Sequence, residues 1–440
     1  MKTDTTSETS TTSTTSRARP VTATATRRAR VSRIVGSAGN LIEWYDFAVF
    51  GASIVLLAAV LTPGGGAALT GVYAVFAISF LARPLGAVLV ARVADRRGRR
   101  RVLTSMLGLM TAATAGIGLL PSWAAIGVAA TVALLVLRLV QGFSSGGEMP
   151  VSVAYLVEHA PPRARGLWGG THLATTALGF AAGTGAVAAV RAALDDDALL
   201  AWGWRVPFLV ALPLGLLAVG LLRRAAESPD FESPDLETPD DAAAGGPGPR
   251  PAIGPYLPHI VRGFALSAAF SSSYNIWFVY LPARLVTDGE YALDVALTAS
   301  VVGTLALAAS AVLSGRLSDR IGRRPVLLGG AITMTVAWLA CDWLMGRGAA
   351  GLFAADTLAG VALGAFVIQS ALGDVLPARV RASGIAYSLT AASAVVGGSA
   401  PLVASLVEGA GVQLVGLYAV TWLLAALVAA ATWSRTGHAA

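Results

Sequence analysis

The chain has little charge, one cysteine and one lysine. Only 13% of its 440 residues are charged, whereas 55% are hydrophobic. A water-soluble fold needs more polar surface than this to cover its exterior, so the composition excludes an ordinary soluble domain. With Cys341 alone, no disulfide can form within the chain. With Lys2 as the single lysine, the chain has no phosphate-binding Gly-x-x-x-x-Gly-Lys-Ser loop, which argues against ATP-driven transport.

The sequence also lacks the signals of catalysis and of bound metal. Its four histidines form no cluster with metal-ligand spacing, and no nucleophile with a matching base stands out. We therefore expect no metal, no cofactor and no enzymatic activity. The net charge of +7 could indicate a nucleic-acid partner, but the arginines fall in short loops between apolar runs. That distribution is typical of membrane loops, and we expect no nucleic acid as partner.

Long apolar runs are what the chain has in abundance. A bilayer core requires about 20 apolar residues for each spanning helix, and twelve such runs lie between residues 34 and 433. They predict an all-α membrane protein with twelve transmembrane helices. The expected parts are a disordered cytoplasmic N-terminal tail (1–32), a six-helix bundle (33–222), a polar cytoplasmic linker (223–256), a second six-helix bundle (257–433) and a cytoplasmic C-terminal tail (434–440).

The loop charges predict the orientation. Loops on one side, counted from the N terminus, are rich in arginine, whereas those on the opposite side carry mostly aspartate. The positive-inside rule therefore places both termini in the cytoplasm of a multi-pass protein of the inner (plasma) membrane. We expect it to function in the lipid bilayer as a monomer.

Two motifs recur along the chain. The segment at 95–100, Asp-Arg-Arg-Gly-Arg-Arg, returns at 319–324 as Asp-Arg-Ile-Gly-Arg-Arg. Glu158 and Arg165 recur as Asp374 and Arg381 with the same spacing between them. Two duplicated halves predict pseudo-symmetric bundles that enclose a central site at the middle of the membrane.

These motifs carry a resemblance. The loop pattern Gly-x-x-x-Asp-Arg-x-Gly-Arg-Arg resembles the signature of the major facilitator superfamily, with Gly315 kept in the second copy and Ala91 in its place in the first. Residues 39–47, Gly-Asn-Leu-Ile-Glu-Trp-Tyr-Asp-Phe, resemble the first helix of the metabolite:proton symporter family, and residues 207–215 look most like the proline/betaine transporters. The resemblance implies the major facilitator fold and proton-coupled import.

Ionisable groups inside the spans are candidates for proton coupling, because burying them in lipid is costly unless they are paired or hydrated. Glu43 and Asp46 share one face of helix 1, and Arg138 leads a polar stripe on helix 4. Related transporters place a helix-1 carboxylate opposite a helix-4 arginine, so we expect Asp46 and Arg138 to form a proton-sensitive pair. The alternative is a static ion pair between helices. Glu43 is the alternative proton carrier, or else a packing or gating residue.

Aromatic and polar side chains of the spans are candidates for substrate contact. Aromatic faces attract a desolvated quaternary ammonium, although most aromatic residues in helices serve packing. His172 could relay protons or could be a neutral structural histidine. The candidates for the substrate cavity are Trp44, Tyr45, Gln141, Glu148, His172, Tyr274, Asn275, Trp277, Tyr280 and Gln369.

Charged loop residues are candidates for a cytoplasmic gate that breaks on inward opening. The alternative is that they set the topology alone, but carboxylates add little to orientation, which favours gating for the acidic members. The gate candidates are Asp95, Arg99, Arg100, Glu158, Arg165, Asp319, Arg323, Arg324, Asp374 and Arg381.

Together these features predict a secondary transporter that imports a small zwitterion or organic acid with protons by alternating access. A proline- or betaine-like substrate is favoured. A proton-driven exporter of a metabolite or drug is one alternative, although helix 5 lacks the Gly-Pro pair that is typical of such antiporters. A non-transporting membrane sensor is the other, and it would need a sizeable signalling domain.

Overall fold

The structure, a computed structural model, describes residues 39–65, 67–97, 99–146, 160, 163–224, 254–376, 381–407 and 412–432. Besides four short helices (Trp123–Ile126, Asp196–Ala201, Gly203–Arg205 and Gly254–Tyr256), these residues form twelve longer helical segments, each built on one of the apolar runs of the sequence. In chain order they are α1 (Gly39–Ala52 and Ile54–Leu61), α2 (Ala68–Arg97), α3 (Arg99–Gly118), α4 (Val128–Gly146), α5 (Arg165–Ala193), α6 (Val206–Arg224), α7 (Leu257–Asn275, Ile276–Tyr280 and Leu281–Thr287), α8 (Leu293–Ile321), α9 (Arg323–Met345), α10 (Ala349–Gly364 and Ile368–Val375), α11 (Arg381–Ala392, Ser393–Gly397 and Ala400–Val407) and α12 (Val412–Ala431).

Length and composition identify the membrane-spanning helices among them. Within the described residues, seven helices are long and apolar enough to cross a membrane, and the two parts of α1, bent by 60°, make an eighth. Ala349–Gly364 of α10 and Tyr418–Ala431 of α12 are apolar but shorter. Helices with apolar faces all around are stable only in lipid or inside a protein, so the set indicates a membrane bundle.

Three spans of the second half are irregular inside the bundle. α7 and α11 each contain one π-helical turn, at Ile276–Tyr280 and Ser393–Gly397. α10 breaks before Ile368, where Val367 has a left-handed backbone with φ of 40° and ψ of 36°. A β-branched residue rarely adopts that conformation. Irregular backbone at membrane depth is tolerated where protein covers it or where it lines a cavity, and π turns are frequent at functional sites.

Small residues bring α2 and α4 together at backbone distance. A Cβ added to Gly142 would fall on the carbonyl oxygen of Ser79, and one added to Gly146 would fall on that of Arg83. Lipid supplies no hydrophobic force between helices, so close packing of small residues holds such pairs together. The contact presses the part of α2 that carries Ser79 and Arg83 against α4.

The same contact recurs in the second half between α8 and α10. Gly360 faces the carbonyl oxygen of Gly303, and Gly364 faces that of Leu307. The register is constant, since positions 303 and 307 of α8 correspond to 79 and 83 of α2, and positions 360 and 364 of α10 correspond to 142 and 146 of α4. The sequence offset between these α2 and α8 positions is the same as the offset between the two copies of the loop motif, at 95–100 and 319–324. The duplication therefore extends from the loops into the packing of the helices.

The two halves meet closely along α5 and α8. Gly166 of α5 and Gly315 of α8 face each other's backbone, and Gly170 faces the carbonyl oxygen of Ala311, so no side chain would fit at these points. The beginning of α5 and the end of α8 lie at the same end of the bundle. We call this end the motif side, because the loop motif at 319–324 lies there. The halves are in contact on the motif side in this structure.

Replacing Gly86 with alanine should lower the stability of the fold. An added Cβ would overlap the carbonyl oxygen of Phe143 and push α2 away from α4, and overpacking of this kind costs about 1–3 kcal/mol. Gly71→Ala on the same helix is the matched control, because no atom lies within 4 Å of its added Cβ. Thermal unfolding of the purified proteins measures the difference, and equal melting temperatures for the two variants would contradict the contact.

Candidate functional site

A polar cluster is buried between α1, α2, α3 and α4. Thr114 donates from Oγ1 to Oδ2 of Asp46 at 2.9 Å, and Gln141 donates from Nε2 to the Thr114 oxygen at 2.6 Å. Arg138 donates from Nη1 to Oε1 of Gln141 at 2.9 Å and from Nη2 to Oγ of Ser79 at 3.0 Å. Asp46 is 2% exposed and Arg138 3%. The side chains form one hydrogen-bonded path from the carboxylate to the guanidinium.

The structure joins Asp46 and Arg138 through Gln141 and Thr114 rather than through a direct ion pair, which is absent among the described side chains. The guanidinium instead lies over the ring of Phe50, with Cζ 4.0 Å from the ring centroid. Oδ1 of Asp46 and Nε of Arg138 are buried without a hydrogen-bond partner. Buried charges with unused hydrogen-bonding capacity are costly, so the carboxylate is a candidate for binding a proton.

A cavity with about 290 Å³ of empty space lies beside this cluster, and we call it the polar cavity. Its wall is formed by Glu43, Asp46, Phe47, Ser79, Arg83, Met110, Arg138, Gln141, Gly142 and Ser145. Glu43 is 5% exposed and interacts electrostatically with Arg83 of α2. The polar cavity thus brings together two carboxylates and two guanidinium groups, of which sequence analysis identified all but Arg83.

A second cavity, with about 540 Å³ of empty space, lies between the two halves, and we call it the aromatic cavity. It is lined from the first half by Trp44, Phe47, Phe80 and Arg83, and from the second by Phe270, Ser271, Tyr274, Asn275, Ile368, Leu372, Leu389 and Ser393. The rings of Trp44 and Tyr274 meet edge to face across the two halves, with centroids 5.7 Å apart. Nε1 of Trp44, the hydroxyl of Tyr274 and Oδ1 of Asn275 are buried without a hydrogen-bond partner. The cavity therefore offers both ring faces and unused polar atoms.

Irregular helices of the second half shape the wall of the aromatic cavity. Tyr274 and Asn275 directly precede the π turn of α7, and Ser393 begins that of α11. Ile368 follows the left-handed Val367 at the break of α10. Each of these irregularities thus adjoins residues that line the aromatic cavity.

Four predicted cavity residues line neither cavity. The hydroxyl of Tyr45 donates to the carbonyl oxygen of Pro207 on α6 at 2.9 Å. Successive helix residues point about 100° apart, so Tyr45 faces away from the cavity that Trp44 lines. Trp277 packs inside the second half, and Tyr280 lies with its ring centroid 5.7 Å from that of Tyr73. The four residues are Tyr45, His172, Trp277 and Tyr280.

The remaining predicted residues are placed as follows. Trp44, Tyr274 and Asn275 line the aromatic cavity, and Gln141 lines the polar one. Glu148 lies outside the described residues, and so does the side chain of Gln369.

Arg83 is a residue that sequence analysis missed as a site residue. It lines both cavities, and its Cζ lies 4.1 Å from the centroid of the Phe80 ring and 5.8 Å from that of Phe47. The signal that could have identified it is the one that identified Arg138, a charge within a spanning helix.

Asp356 of α10 was also missed. It is 2% exposed and accepts hydrogen bonds from Nε1 of Trp277 at 2.7 Å and from Oγ of Ser300 at 3.4 Å. Asp356 precedes Gly360 on α10 by the same interval as Arg138 precedes Gly142 on α4, so the duplicated halves carry opposite charges at equivalent positions. Asp356 lines neither cavity and fastens α7 and α8 to α10.

Predicted gate residues meet on the motif side. Asp319 accepts hydrogen bonds from the backbone N–H groups of Gly166 at 2.7 Å and Leu167 at 2.8 Å, in the first turn of α5. A carboxylate at a helix N terminus is stabilised by the free N–H groups and the helix dipole. Arg323 contacts Asp319 at 3.2 Å and Asp374 at 2.8 Å. The Asp319 carboxylate therefore joins the second half to the first.

The other gate candidates are placed differently. Arg324 donates to the carbonyl oxygen of Ala431 at 2.7 Å, so it ties α9 to the end of α12. Arg165 is the first residue of α5. Glu158 lies outside the described residues, as do the side chains of Asp95, Arg99, Arg100 and Arg381.

The end of the bundle opposite the motif side also has a contact between the halves. Tyr73 of α2 donates from its hydroxyl to the carbonyl oxygen of Tyr280 on α7 at 3.4 Å. Contacts between the halves thus flank the aromatic cavity toward both ends of the bundle.

Known proteins match this chain over nearly its whole length. The sequence model of the family described as sugar (and other) transporter matches residues 33–233 and 252–435. The chain is 29% identical over 431 residues to a proline/betaine transporter of Escherichia coli K12, covering 96% of this chain and 86% of that protein. It is 34% identical over 402 residues to the ectoine/proline transporter ProP of Corynebacterium glutamicum (86% and 78%). It is 30% identical over 410 residues to a citrate-proton symporter of Klebsiella pneumoniae (89% and 88%).

The fold is that of a solved transporter. The structure of the major facilitator proton:xylose symporter XylE bound to 6-bromo-6-deoxy-D-glucose matches with a TM-score of 0.73 at 19% identity, covering 92% of this chain and 95% of that one. This likeness confirms the predicted fold of twelve helices in two six-helix bundles. The relatives are membrane transporters and not enzymes. The chain therefore belongs to the sugar (and other) transporter family of the major facilitator superfamily, with proline/betaine transporters among its relatives.

Proposed function

We propose that this protein imports a small zwitterion of the proline or betaine kind together with protons by alternating access. The observation that carries the proposal is the aromatic cavity between the halves, where rings from both halves surround a space that one arginine borders. A desolvated ammonium group is attracted to ring faces, and a carboxylate is attracted to a guanidinium. Relatives described as proline/betaine and ectoine/proline transporters support the same class of substrate.

The loop charges assign the motif side to the cytoplasm in this proposal, with both termini in the cytoplasm and the protein acting as a monomer in the inner membrane. The two bundles correspond to residues 33–222 and 257–433. Contact between the halves on the motif side then corresponds to a state that is shut toward the cytoplasm.

Asp46 carries a transported proton in this mechanism. The Thr114 hydroxyl has one hydrogen and two acceptors in reach, Oδ2 of Asp46 at 2.9 Å and the carbonyl oxygen of Met110 at 3.0 Å. When Asp46 takes a proton, the hydroxyl can turn to Met110 and keep a hydrogen bond. This rotation of the Thr114 hydroxyl changes the hydrogen bonds of Gln141, which follows Thr114 in the path, and through it those of Arg138. Proton occupancy of Asp46 is therefore linked to the packing of α1, α3 and α4.

An organic anion is the second candidate substrate. The citrate-proton symporter among the relatives and the two arginines of the polar cavity favour it. Within the described wall of the aromatic cavity, however, Arg83 is the single charged side chain among five rings. One guanidinium balances one carboxylate, and the rings suit the cationic part of a zwitterion better than a second or third carboxylate.

Uptake into proteoliposomes tests the proposed function. Betaine, proline, 2-oxoglutarate and shikimate are offered in turn under an imposed proton gradient, with a protonophore as control. We expect accumulation of betaine or proline, and we expect the protonophore to abolish it. Accumulation that survives the protonophore, or that is confined to an organic acid, would contradict the proposal.

Asp46→Asn should strongly weaken the use of the proton gradient while sparing exchange. Asparagine keeps an acceptor for Thr114 but cannot bind a transported proton. Gradient-driven accumulation of betaine should fall by at least about tenfold, whereas exchange of labelled for unlabelled substrate at equal pH should remain. Asp356→Asn is the matched control, since Asp356 is equally buried but lines neither cavity. Unchanged gradient dependence in Asp46→Asn would remove Asp46 from the mechanism.

Asp319→Ala should open the cytoplasmic side. It removes the carboxylate that caps α5 across the halves, and loss of a cap costs about 0.5–2 kcal/mol, or roughly 2- to 30-fold in population. The reporter is Ser271→Cys in the aromatic cavity of a Cys341→Ser protein, labelled by an impermeant maleimide in inside-out vesicles.

We expect labelling of the cysteine at position 271 to be roughly 2- to 30-fold faster in Asp319→Ala than in the protein that keeps Asp319. The control Asp288→Ala breaks an ion pair of 3.1 Å with Arg284 inside the second half and should leave the labelling rate unchanged. Equal rates in both variants would show that the cap does not hold the halves together.

A further inference from the structure

Arg83 and Phe47 form the partition between the two cavities, because they line both. On the side of the polar cavity, Arg83 interacts electrostatically with Glu43. On the side of the aromatic cavity, it is the single charged side chain in the described wall. Its Nε is buried without a hydrogen-bond partner. The guanidinium therefore has capacity to bind an anion from the aromatic cavity.

The backbone of Arg83 is held in place while its side chain can turn. Gly146 of α4 packs against the carbonyl oxygen of Arg83, so α2 cannot shift at this point without breaking the α2–α4 contact. The guanidinium lies over the ring of Phe80, with Cζ 4.1 Å from the ring centroid, and no ion pair within 4.0 Å fixes it among the described side chains. Its planar fork of N–H groups fits one carboxylate with two parallel hydrogen bonds. Glu43 and a carboxylate in the aromatic cavity would thus attract the same guanidinium from the two cavities that Arg83 lines.

We propose that Arg83 binds the carboxylate of the substrate and that it couples substrate to proton by turning away from Glu43 when it does so. This inference rests on the proposed function. The cationic end of the substrate then lies within the same cavity, among the rings of Trp44, Phe270 and Tyr274.

The charges around Glu43 determine the sign of the coupling. Arg83 on α2, Asp46 on α1 itself and Arg138 on α4 share the polar cavity with it. The other described helices that pack against α1 are α3, α5, α6 and α7, and their buried titratable side chains are His172 on α5 and Tyr274 and Tyr280 on α7. When Arg83 turns away, Glu43 loses a cation and keeps Asp46 as a neighbour of like charge, so it binds a proton.

Binding of the substrate carboxylate to Arg83 and binding of a proton to Glu43 favour each other. A carboxylate on Arg83 favours a proton on Glu43, and a proton on Glu43 frees Arg83 for the carboxylate. One neutral zwitterion and the proton on Glu43 enter the site together, beside the proton that Asp46 carries, and they leave together when Glu43 releases its proton and Arg83 turns back toward the polar cavity. No bond other than that of the proton to the carboxylate is made or broken.

Binding measurements on the full-length protein in nanodiscs test this exchange. Equilibrium dialysis gives the Kd of radiolabelled betaine and of choline, which has the same ammonium but no carboxylate, over a range of pH. For the unaltered protein we expect betaine binding to weaken as the pH rises and proton uptake to accompany binding. We expect choline to bind more weakly and to cause no proton uptake.

Arg83→Gln should weaken betaine binding by about 10- to 100-fold and leave choline binding nearly unchanged. Arg83→Lys keeps the charge but not the planar fork, so it should lower the preference for betaine by a smaller factor, and it tests the same point if the glutamine variant fails to fold. Glu43→Gln should bind betaine tightly at every pH, without proton uptake. Arg284→Gln, outside both cavities, is the matched control for loss of an arginine and should behave like the unaltered protein.

An unchanged ratio of betaine to choline affinity in Arg83→Gln and Arg83→Lys would overturn the role of Arg83. Betaine binding that stays pH-dependent in Glu43→Gln would overturn the exchange. Failure of the proposed function looks different: the unaltered protein would bind 2-oxoglutarate and neither betaine nor proline. The same variants, measured with 2-oxoglutarate, then decide whether Arg83 holds the anion.

Discussion

The high cost of a buried, uncompensated charge in a membrane is the constraint on which this structure depends. Charged side chains inside spanning helices must face one another or a polar space, because lipid can solvate neither ion nor hydrogen bond. Glu43, Asp46, Arg83 and Arg138 meet this condition by facing a single polar cavity. Four ionisable groups from three helices are thereby fixed beside the interface of the two halves, where a change in one alters the surroundings of the others.

Glycine contacts make this arrangement possible. α2 and α4 approach until backbone touches backbone, at the level where the side chains of Arg83 and Arg138 line the polar cavity. The duplicated contact in the second half places Asp356 where Arg138 stands in the first, yet Asp356 is satisfied by Trp277 and faces no cavity. Duplication thus preserved the packing while the chemistry diverged, which is why charge exchange is assigned to one half and the rings of the cavity come from both.

Much of the fold could be predicted from the sequence because its signals are local. Apolar length predicts spans, and the repeated loop motif predicts two halves. Charges in apolar runs indicated Asp46 and Arg138 for the same reason. The rotation of each helix about its axis is not a local property, so Tyr45 and Trp277 were expected in the cavity although they pack elsewhere.

Some residues that line the aromatic cavity could not be predicted from the sequence, again because the rotation of a helix about its axis is not a local property. Phe47, Phe80 and Phe270 line the aromatic cavity, but in an apolar run a phenylalanine that faces a cavity looks like one that faces lipid or core. Arg83 could have been recognised by its charge alone. Its place between two cavities depends on how α1, α2 and α4 meet, and that information lies in three separate segments of the sequence.

The central claim is that a neutral zwitterion and a proton cross the membrane together through this shared set of charges. The reversal potential of transport measures it most directly: proteoliposomes with fixed betaine and proton gradients are clamped at a series of membrane voltages until net betaine flux stops. The account predicts that flux stops where the proton-motive force balances the betaine gradient at a fixed whole number of protons for each substrate. A flux that reverses at the same betaine ratio whatever the voltage and pH difference would contradict it.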